Sequence, residues 1–517
     1  MRPFPKILVM SFLTTLSLGS AFAQDETALQ EERRMEIEKA LFMAAGSQER
    51  VLKIGLVDCI AYALKNNSEI KIKRIEPKLK EKEIQIAKAA FEPTLSVDYT
   101  VHDNTETSTS TLYPGTSKTN DSDFSAALSG TLPTGTEYDI EFLTERYKSS
   151  VSTQTPNPYY SAEPKITITQ PLFRDFGALV KGADIIIAQN NKQSSVENFK
   201  DTVMETITST KTAYYNYLYY LENDTLLRIS LERAQNLWSI NKARYEKGLI
   251  SSVDLLETEA ALVAREKALL SAEANLRKAE DDLKLITNLV DDPEAWNAAL
   301  ELIDANLEFK EEKADLLESL KNAFRHRPDY HAQKIDLKNR DIKITTAKNA
   351  LFPTLDLKGS FGLNGLGSDY QEAIEKIDAD DKDWSVGLTF SLPWGGEDRA
   401  KFDQRKLEKA QALIALKRLE QHIILEVRDK VRAVDIQRRQ LEASKLSKEK
   451  EQKNYEAQKE RYAAGEVSTH DMLDYQERLA QAELDEIKAL IDYQTALIRL
   501  DQSEGLTLVK NDVTLEE

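Results

Sequence analysis

The feature that most restricts what this chain can fold into is where proline is missing. None lies between Pro171 and Pro293, and none follows Pro393. A proline inside a helix costs about 3 kcal/mol, so these two tracts permit helices far longer than a globular domain holds. Within the first, Leu255, Leu262, Leu269, Leu276 and Leu283 recur at every seventh position, the spacing of left-handed helix packing. Ala272, Ala279 and Ile286 add a second stripe at the same spacing. A helix from about Ala178 to Tyr245 would extend roughly 100 Å at 1.5 Å per residue, a length that suits a conduit or a stalk.

Away from their ends, these tracts contain only two glycines, Gly248 and Gly465. They sit in nearly the same phrase, RYEKGLISSVDLL from Arg244 and RYAAGEVSTHDML from Arg461. Glycine just past a helix supplies the left-handed cap. Ser251 and Ser468, each followed three positions later by Asp254 and Asp471, resemble capping boxes with Asp in the place of Glu. Each phrase is therefore expected to be the tip of a long helical hairpin, with Tyr245 packing across the first one.

A second pair of phrases, AKAAFEPTL from Ala87 and AKNALFPTL from Ala347, repeats in the same order. The chain is thus a duplication with a pseudo-symmetric plan. After each Pro-Thr-Leu the pattern switches to alternation. Leu95, Val97, Tyr99 and Val101 interleave with polar residues, as do Leu355, Leu357 and Phe361. Returning strands are expected at Lys165 to Thr169 and at Ser385 to Leu392, and the polar run from His102 to Asp121 as an exposed connection. One apolar and one polar side per strand imply a sheet with a single dry face. The first strand region is longer than the second. Its surplus, from Phe124 to Phe142, is expected to be an extra hairpin turning at Pro133-Thr134-Gly135.

Composition narrows the function. Asp and Glu number 87 against 69 Lys and Arg, a net charge of −18, which disfavours nucleic acid as a partner. Arg2 and Lys6, the apolar run from Ile7 to Leu18 and Ala21-Phe22-Ala23 have the form of a secretory signal peptide. No later stretch approaches the roughly 18 to 20 apolar residues of a spanning helix, so an exported chain would be soluble or would cross as strands. Cys59, the single cysteine, falls at helical spacing with Leu56, Ile60 and Ala63, as a buried apolar residue would. His102, His326, His331, His422 and His470 are scattered, and no phosphate loop, nucleophile elbow or zinc motif is present. Neither an enzyme nor a cofactor or metal is expected.

Together, the duplicated plan, the Pro-Thr-Leu entries into alternating strands and the two capped tips resemble the TolC family of outer-membrane channels, from about Leu56 to Leu506. The resemblance implies a mostly α fold with β structure, assembled as a homotrimer. Long helical hairpins would form a periplasmic α-barrel, and strands from three chains one β-barrel in outer-membrane lipid. On this plan the chain divides into a signal peptide (1–23), N-terminal periplasmic helices (24–92), the first strand region (93–173) and the first hairpin (174–290). Equatorial helices (291–352), the second strand region (353–393), the second hairpin (394–504) and a tail (505–517) follow.

The resemblance also assigns residues. Asp471 and Asp474 match the family's selectivity acids, and Asp254 and Tyr462 match members of its gate. Gly248-Leu249-Ile250 and Gly465-Glu466-Val467 stand where tips meet a periplasmic adaptor, itself coupled to an inner-membrane transporter. The gate's Arg position holds Val467 and its Thr position Val253, so the entrance acids are expected to lack a neutralising charge from that position. Because the halves otherwise match strand for strand, four wall strands per chain are expected, with the extra hairpin projecting beyond the wall. The competing reading is a soluble periplasmic coiled-coil scaffold, which the heptads allow but to which the lipid-style strands are of no use. Among channels, type I secretion and small-molecule efflux both remain open.

Overall fold

The computed structural model describes residues 51–108, 115–150, 155–289, 293–304, 311–392 and 394–515; the signal-peptide segment lies outside them. The chain begins with β1 (Val51–Ile54), α1 (Leu56–Asn66) and α2 (Ser68–Ala89). Four strands follow: β2 (Thr94–Ser108), β3 (Gly115–Thr131), β4 (Glu137–Ser149) and β5 (Tyr159–Pro171). A short α3 (Ala178–Lys181) leads into α4 (Ala183–Glu246) and α5 (Ser252–Ile286), then α6 (Pro293–Asn297) and β6 (Ala299–Leu302). The second half comprises α7 (Leu316–His326), α8 (Pro328–Asn349), β7 (Thr354–Gly367), α9 (Tyr370–Glu375) and β8 (Asp378–Ser391). It closes with α10 (Glu397–Ala463), α11 (Thr469–Ser503) and α12 (Thr507–Lys510).

The duplication is visible in element lengths. α1 and α7 both have 11 residues, α2 and α8 both have 22, and α5 and α11 both have 35. α4 and α10 run 64 and 67 residues without a break, which proline-free sequence permits. No helix among the described residues is long and apolar enough to cross a membrane.

The described residues divide into two units, one within 51–71, 202–326 and 425–515, the other within 72–201 and 327–424. In the first, β1 pairs in parallel with β6, Val51 opposite Ala299. Ile54, Cys59, Tyr214, Leu218, Leu283 and Leu300 form a core there. Tyr217 lies in the same cluster and donates its hydroxyl to the Leu300 carbonyl at 2.8 Å. Cys59 is fully buried, and burial together with neighbouring Asp58 pushes its thiol up to about 12. It is therefore an inert core residue. A further cluster joins Val434 and Leu441 of α10 to Leu490 and Tyr493 of α11.

The second unit holds one six-stranded antiparallel sheet in the order β2-β3-β4-β5-β7-β8. The extra pair expected to project lies instead within this sheet. β3 and β4 are paired along their length with each other and with β2 and β5, from Thr94 opposite Ser129 to Glu137 opposite Thr169. The chain turns between them at Leu132 to Thr136, with Gly135 at φ 94° and its N–H donating to the Leu132 carbonyl. The polar run from His102 is also mostly strand, because β2 continues to Ser108 and β3 resumes at Gly115. Polar residues occupy both faces at that end, so the alternation that marks a half-buried strand is missing there although the backbone ladder continues.

Register sorts the side chains cleanly. Leu95, Leu128, Ile140, Ile166, Phe361 and Trp384 stand opposite one another across all six strands, on one face. Asp123 and Glu145 are opposite each other on the other face, as are Glu141 and Lys165. Along β4 the apolar face reads Tyr138, Ile140 and Phe142, then Thr144, Arg146 and Lys148, so the apolar band ends partway up the strand.

Candidate functional site

Both hairpin tips are built alike, and all their residues belong to the first unit. At the end of α4, Gly248 has φ 69°, its N–H donates to the Tyr245 carbonyl at 2.8 Å, and the Leu249 N–H donates to the Arg244 carbonyl at 2.9 Å. At the end of α10, Gly465 has φ 82°, with its N–H to Tyr462 at 3.1 Å and the Glu466 N–H to Arg461 at 3.0 Å. This is the paired i−3 and i−5 bonding of a glycine-terminated helix, made twice. The next helices start on serine. The Asp254 N–H donates to Ser251 Oγ at 3.2 Å while the Asp254 carboxylate accepts from the Ser251 N–H at 3.0 Å. At the second tip the Asp471 N–H lies 3.1 Å from Ser468 Oγ and the Asp471 carboxylate accepts from that hydroxyl at 2.6 Å, a serine N-cap in place of the full capping box expected there.

Asp254 and Tyr462, which the resemblance assigns to the gate, are not brought together. Asp254 is engaged in its cap. Tyr462 is 6 % exposed and donates its hydroxyl to Asn241 Oδ1 at 2.5 Å, with Thr469 Oγ1 at 3.3 Å. Asn241 Nδ2 in turn donates to Thr469 Oγ1 at 3.3 Å. Asn241 and Thr469 are buried, so three polar side chains satisfy one another in a dry place between the two hairpins. Arg244 covers the group: its guanidinium lies 4.7 Å from the Tyr462 ring and donates to the Tyr462 carbonyl at 3.3 Å. Leu237 and Met472 seal the cluster. Tyr245 is 44 % exposed, so the packing expected of it belongs to its counterpart Tyr462.

Asn241, Thr469 and Arg244 were not singled out by sequence. The signal existed for Asn241, which follows Ala234 and Leu237 at helical spacing. All three are buried, so a polar residue occupies a core stripe.

Of the two acids that the resemblance assigns to the entrance, Asp471 is held in the cap of α11. Asp474 lies 2.7 Å from Arg478, one helical turn on, and both side chains are about half exposed. Val467 at the family's Arg position therefore does not leave Asp474 without a cation. His470 is highly exposed, 4.0 Å from Glu257. The adaptor-matching segments are open to solvent at Gly248, Leu249, Gly465 and Glu466 and half-buried at Ile250 and Val467, and Leu249 is 70 % exposed.

The polar face of the sheet is the second candidate surface. His102 Nδ1 is 3.1 Å from Asp121, and these two with Asp123 bring one nitrogen or oxygen each within 4.8 Å of one another. Such acids dominate the face, with Lys165 and Lys358 as its bases.

Long paired hairpins with twin capped tips, joined to a sheet apolar on one side and polar on the other, define an outer-membrane channel fold. Residues 139–289 and 319–506 match the family model of the outer membrane efflux protein, and the chain belongs to that family. Its place is the outer membrane. It is 26% identical over 295 residues to the outer membrane protein OprJ of Pseudomonas aeruginosa, 57% of this chain and 60% of that one. It is 23% identical over 271 residues to nodulation protein T of Rhizobium leguminosarum bv. trifolii, covering 52% and 56%. The chain thus matches somewhat over half the length of these relatives. Among solved structures, the CmeC outer membrane channel of Campylobacter jejuni superposes with a TM-score of 0.64 at 18% identity, over 87% of this chain and 86% of that one. The open state of the MtrE outer membrane channel of Neisseria gonorrhoeae gives 0.60 at 18%, over 87% and 89%.

Proposed function

We propose that three copies of this chain form a passive exit duct through the outer membrane, gated at the paired hairpin tips and serving a tripartite efflux assembly. One observation carries this reading: a sheet with a continuous apolar face, a polar face and two open edges, in a family of outer-membrane efflux proteins. An open edge in hydrocarbon leaves backbone groups unpaired at several kcal/mol each, so further strands must come from other copies. Leu256, Val263 and Leu270, seven apart on α5 and each more than 60 % exposed, provide an unpartnered stripe for neighbouring helices. A soluble scaffold has no use for the apolar sheet face.

At the tips, the Tyr462–Asn241–Thr469 group ties one hairpin to the other and is the internal part of the gate, while Asp471 and Asp474 face the entrance. Leu249 and Ile250, with Glu466 and Val467, offer the periplasmic adaptor an apolar patch beside a charge, and the adaptor links the duct to an inner-membrane transporter. The test is native mass spectrometry of detergent-extracted protein together with planar-bilayer recording. Three copies and discrete conductance steps are expected; a stable, non-conducting monomer overturns the reading.

A further inference from the structure

The two edges of the sheet are open, and each fits the other. Every side chain of β8, and of β2 from Thr94 to Thr107, is exposed. Both edges carry the same pattern on the same face, Leu95, Val97 and Tyr99 on β2 and Val386, Leu388 and Phe390 on β8. Their lengths are 15 and 14 residues. All five neighbour pairings are antiparallel, so with six strands β8 returns toward the end at which β2 starts. A copy set edge to edge therefore presents β2 antiparallel to β8, and the apolar band continues unbroken across the joint.

We propose that β8 of one chain pairs with β2 of the next, so that three chains close a barrel of about 18 strands instead of the roughly 12 that four strands each would give. The proposal rests on the trimeric duct argued above and concerns its wall. The β3–β4 pair becomes wall, with Leu128 and Ile140 facing lipid and Asp123 facing water. Barrel diameter grows roughly linearly with strand number, and barrels of about 16 to 18 strands leave an open aqueous channel. The outer exit is then wider than the halves' symmetry implies.

Two cysteine experiments test this in the full-length protein, where Cys59 is buried and silent. In the first, Leu128→Cys, Ile140→Cys and Asp123→Cys are treated in intact envelopes with a membrane-impermeant maleimide. Labelling at Asp123→Cys with loss of labelling at the other two is expected. In the second, Val97, Tyr99 or Val101→Cys is combined with Trp384, Val386 or Leu388→Cys under oxidation. Disulfides need Cα atoms about 4.4 to 6.8 Å apart, so one register of the matrix should give covalently linked trimers. Linked trimers with Leu128→Cys and Ile140→Cys fully labelled would place β3–β4 outside the wall and overturn the wider barrel while keeping the trimer. A trimeric native mass with no linked pair would overturn the β8–β2 joint. A monomeric native mass would remove the duct reading and this proposal together.

Discussion

Asn241 shows how much one side chain can decide. It is fully buried, its carbonyl oxygen accepts from Tyr462, and its amide donates to Thr469. Leaving a buried acceptor without its donor costs about 1 to 3 kcal/mol. Tyr462→Phe should therefore lower stability by that amount and, if the group locks the tips, lengthen channel openings. Thermal melting and single-channel recording check the two parts, and a variant unchanged in both would leave Tyr462 as packing only. At Gly465 an added Cβ meets nothing within 4 Å, so substitution there costs backbone strain alone. At φ 82° that is on the order of 1 kcal/mol for a β-branched residue and less for Asn. Gly465→Val should impair export more than Gly465→Asn at equal outer-membrane abundance, measured by efflux-dependent survival; equal impairment would count against the cap. The caps were legible in sequence because Ser251 and Asp254 lie three positions apart. Asn241 and Tyr462 were not read as partners because they lie 221 positions apart, on different hairpins.

Elements in this chain are fixed by a few charged residues as well as by stripes. Lys284 of α5 is 5 % exposed; its ammonium donates to the Trp296 and Ala298 carbonyls at 2.9 and 2.7 Å and pairs with Glu280 at 2.9 Å. It ties α6 and the start of β6 to α5. Removing one partner of a buried ion pair costs about 3 to 5 kcal/mol, so Lys284→Met should lower the melting temperature sharply; a shift within error would mean that water replaces the ammonium. In the first turn of α8, burial alone would raise the Asp329 carboxyl. The Arg327 guanidinium at 2.8 Å and the Tyr330 N–H reverse this and hold it below its ordinary value. A depressed carboxylate stabilises the fold above its unfolded pKa of about 3.9 and stops doing so as pH falls through the lower folded value. The melting difference between wild type and Asp329→Asn should thus be full at neutral pH and vanish in strong acid; a pH-independent difference would deny the ion pair its role. Helices of this length were readable from missing prolines and from heptads, and the duplication from repeated phrases. Strand extents were less readable. Past Val101 on β2 both faces become polar, and past Phe142 on β4 the apolar face turns to Thr144, Arg146 and Lys148, so the backbone ladder, which has no sequence signature, carries the strands onward.

At the scale of the assembled duct, charge falls on two surfaces. At the tips, threefold symmetry would gather three copies each of Asp471 and Asp474, but Arg478 sits 2.7 Å from Asp474 and offsets part of that ring. On the polar face of the sheet, Asp98, Asp121, Asp123, Glu141 and Glu145 stand in adjoining rows, with Lys165 and Lys358 as the bases of that face. Rings of like charge in a narrow pore favour the opposite ion. Selectivity should then come from the wall as well as from the entrance, whereas block by multivalent cations belongs to the entrance, where carboxylates crowd about one axis. Asp471→Ala/Asp474→Ala should weaken block from the periplasmic side yet leave conductance cation-selective. Arg478→Ala should do the reverse of the first effect and tighten block by freeing Asp474. Combined Asp123→Asn, Glu141→Gln and Glu145→Gln should move the reversal potential in a salt gradient toward zero with block unchanged. If the tip variant alone abolished cation selectivity, the acids of the sheet would not face the path of the ions, and the polar face would have to be turned away from the pore.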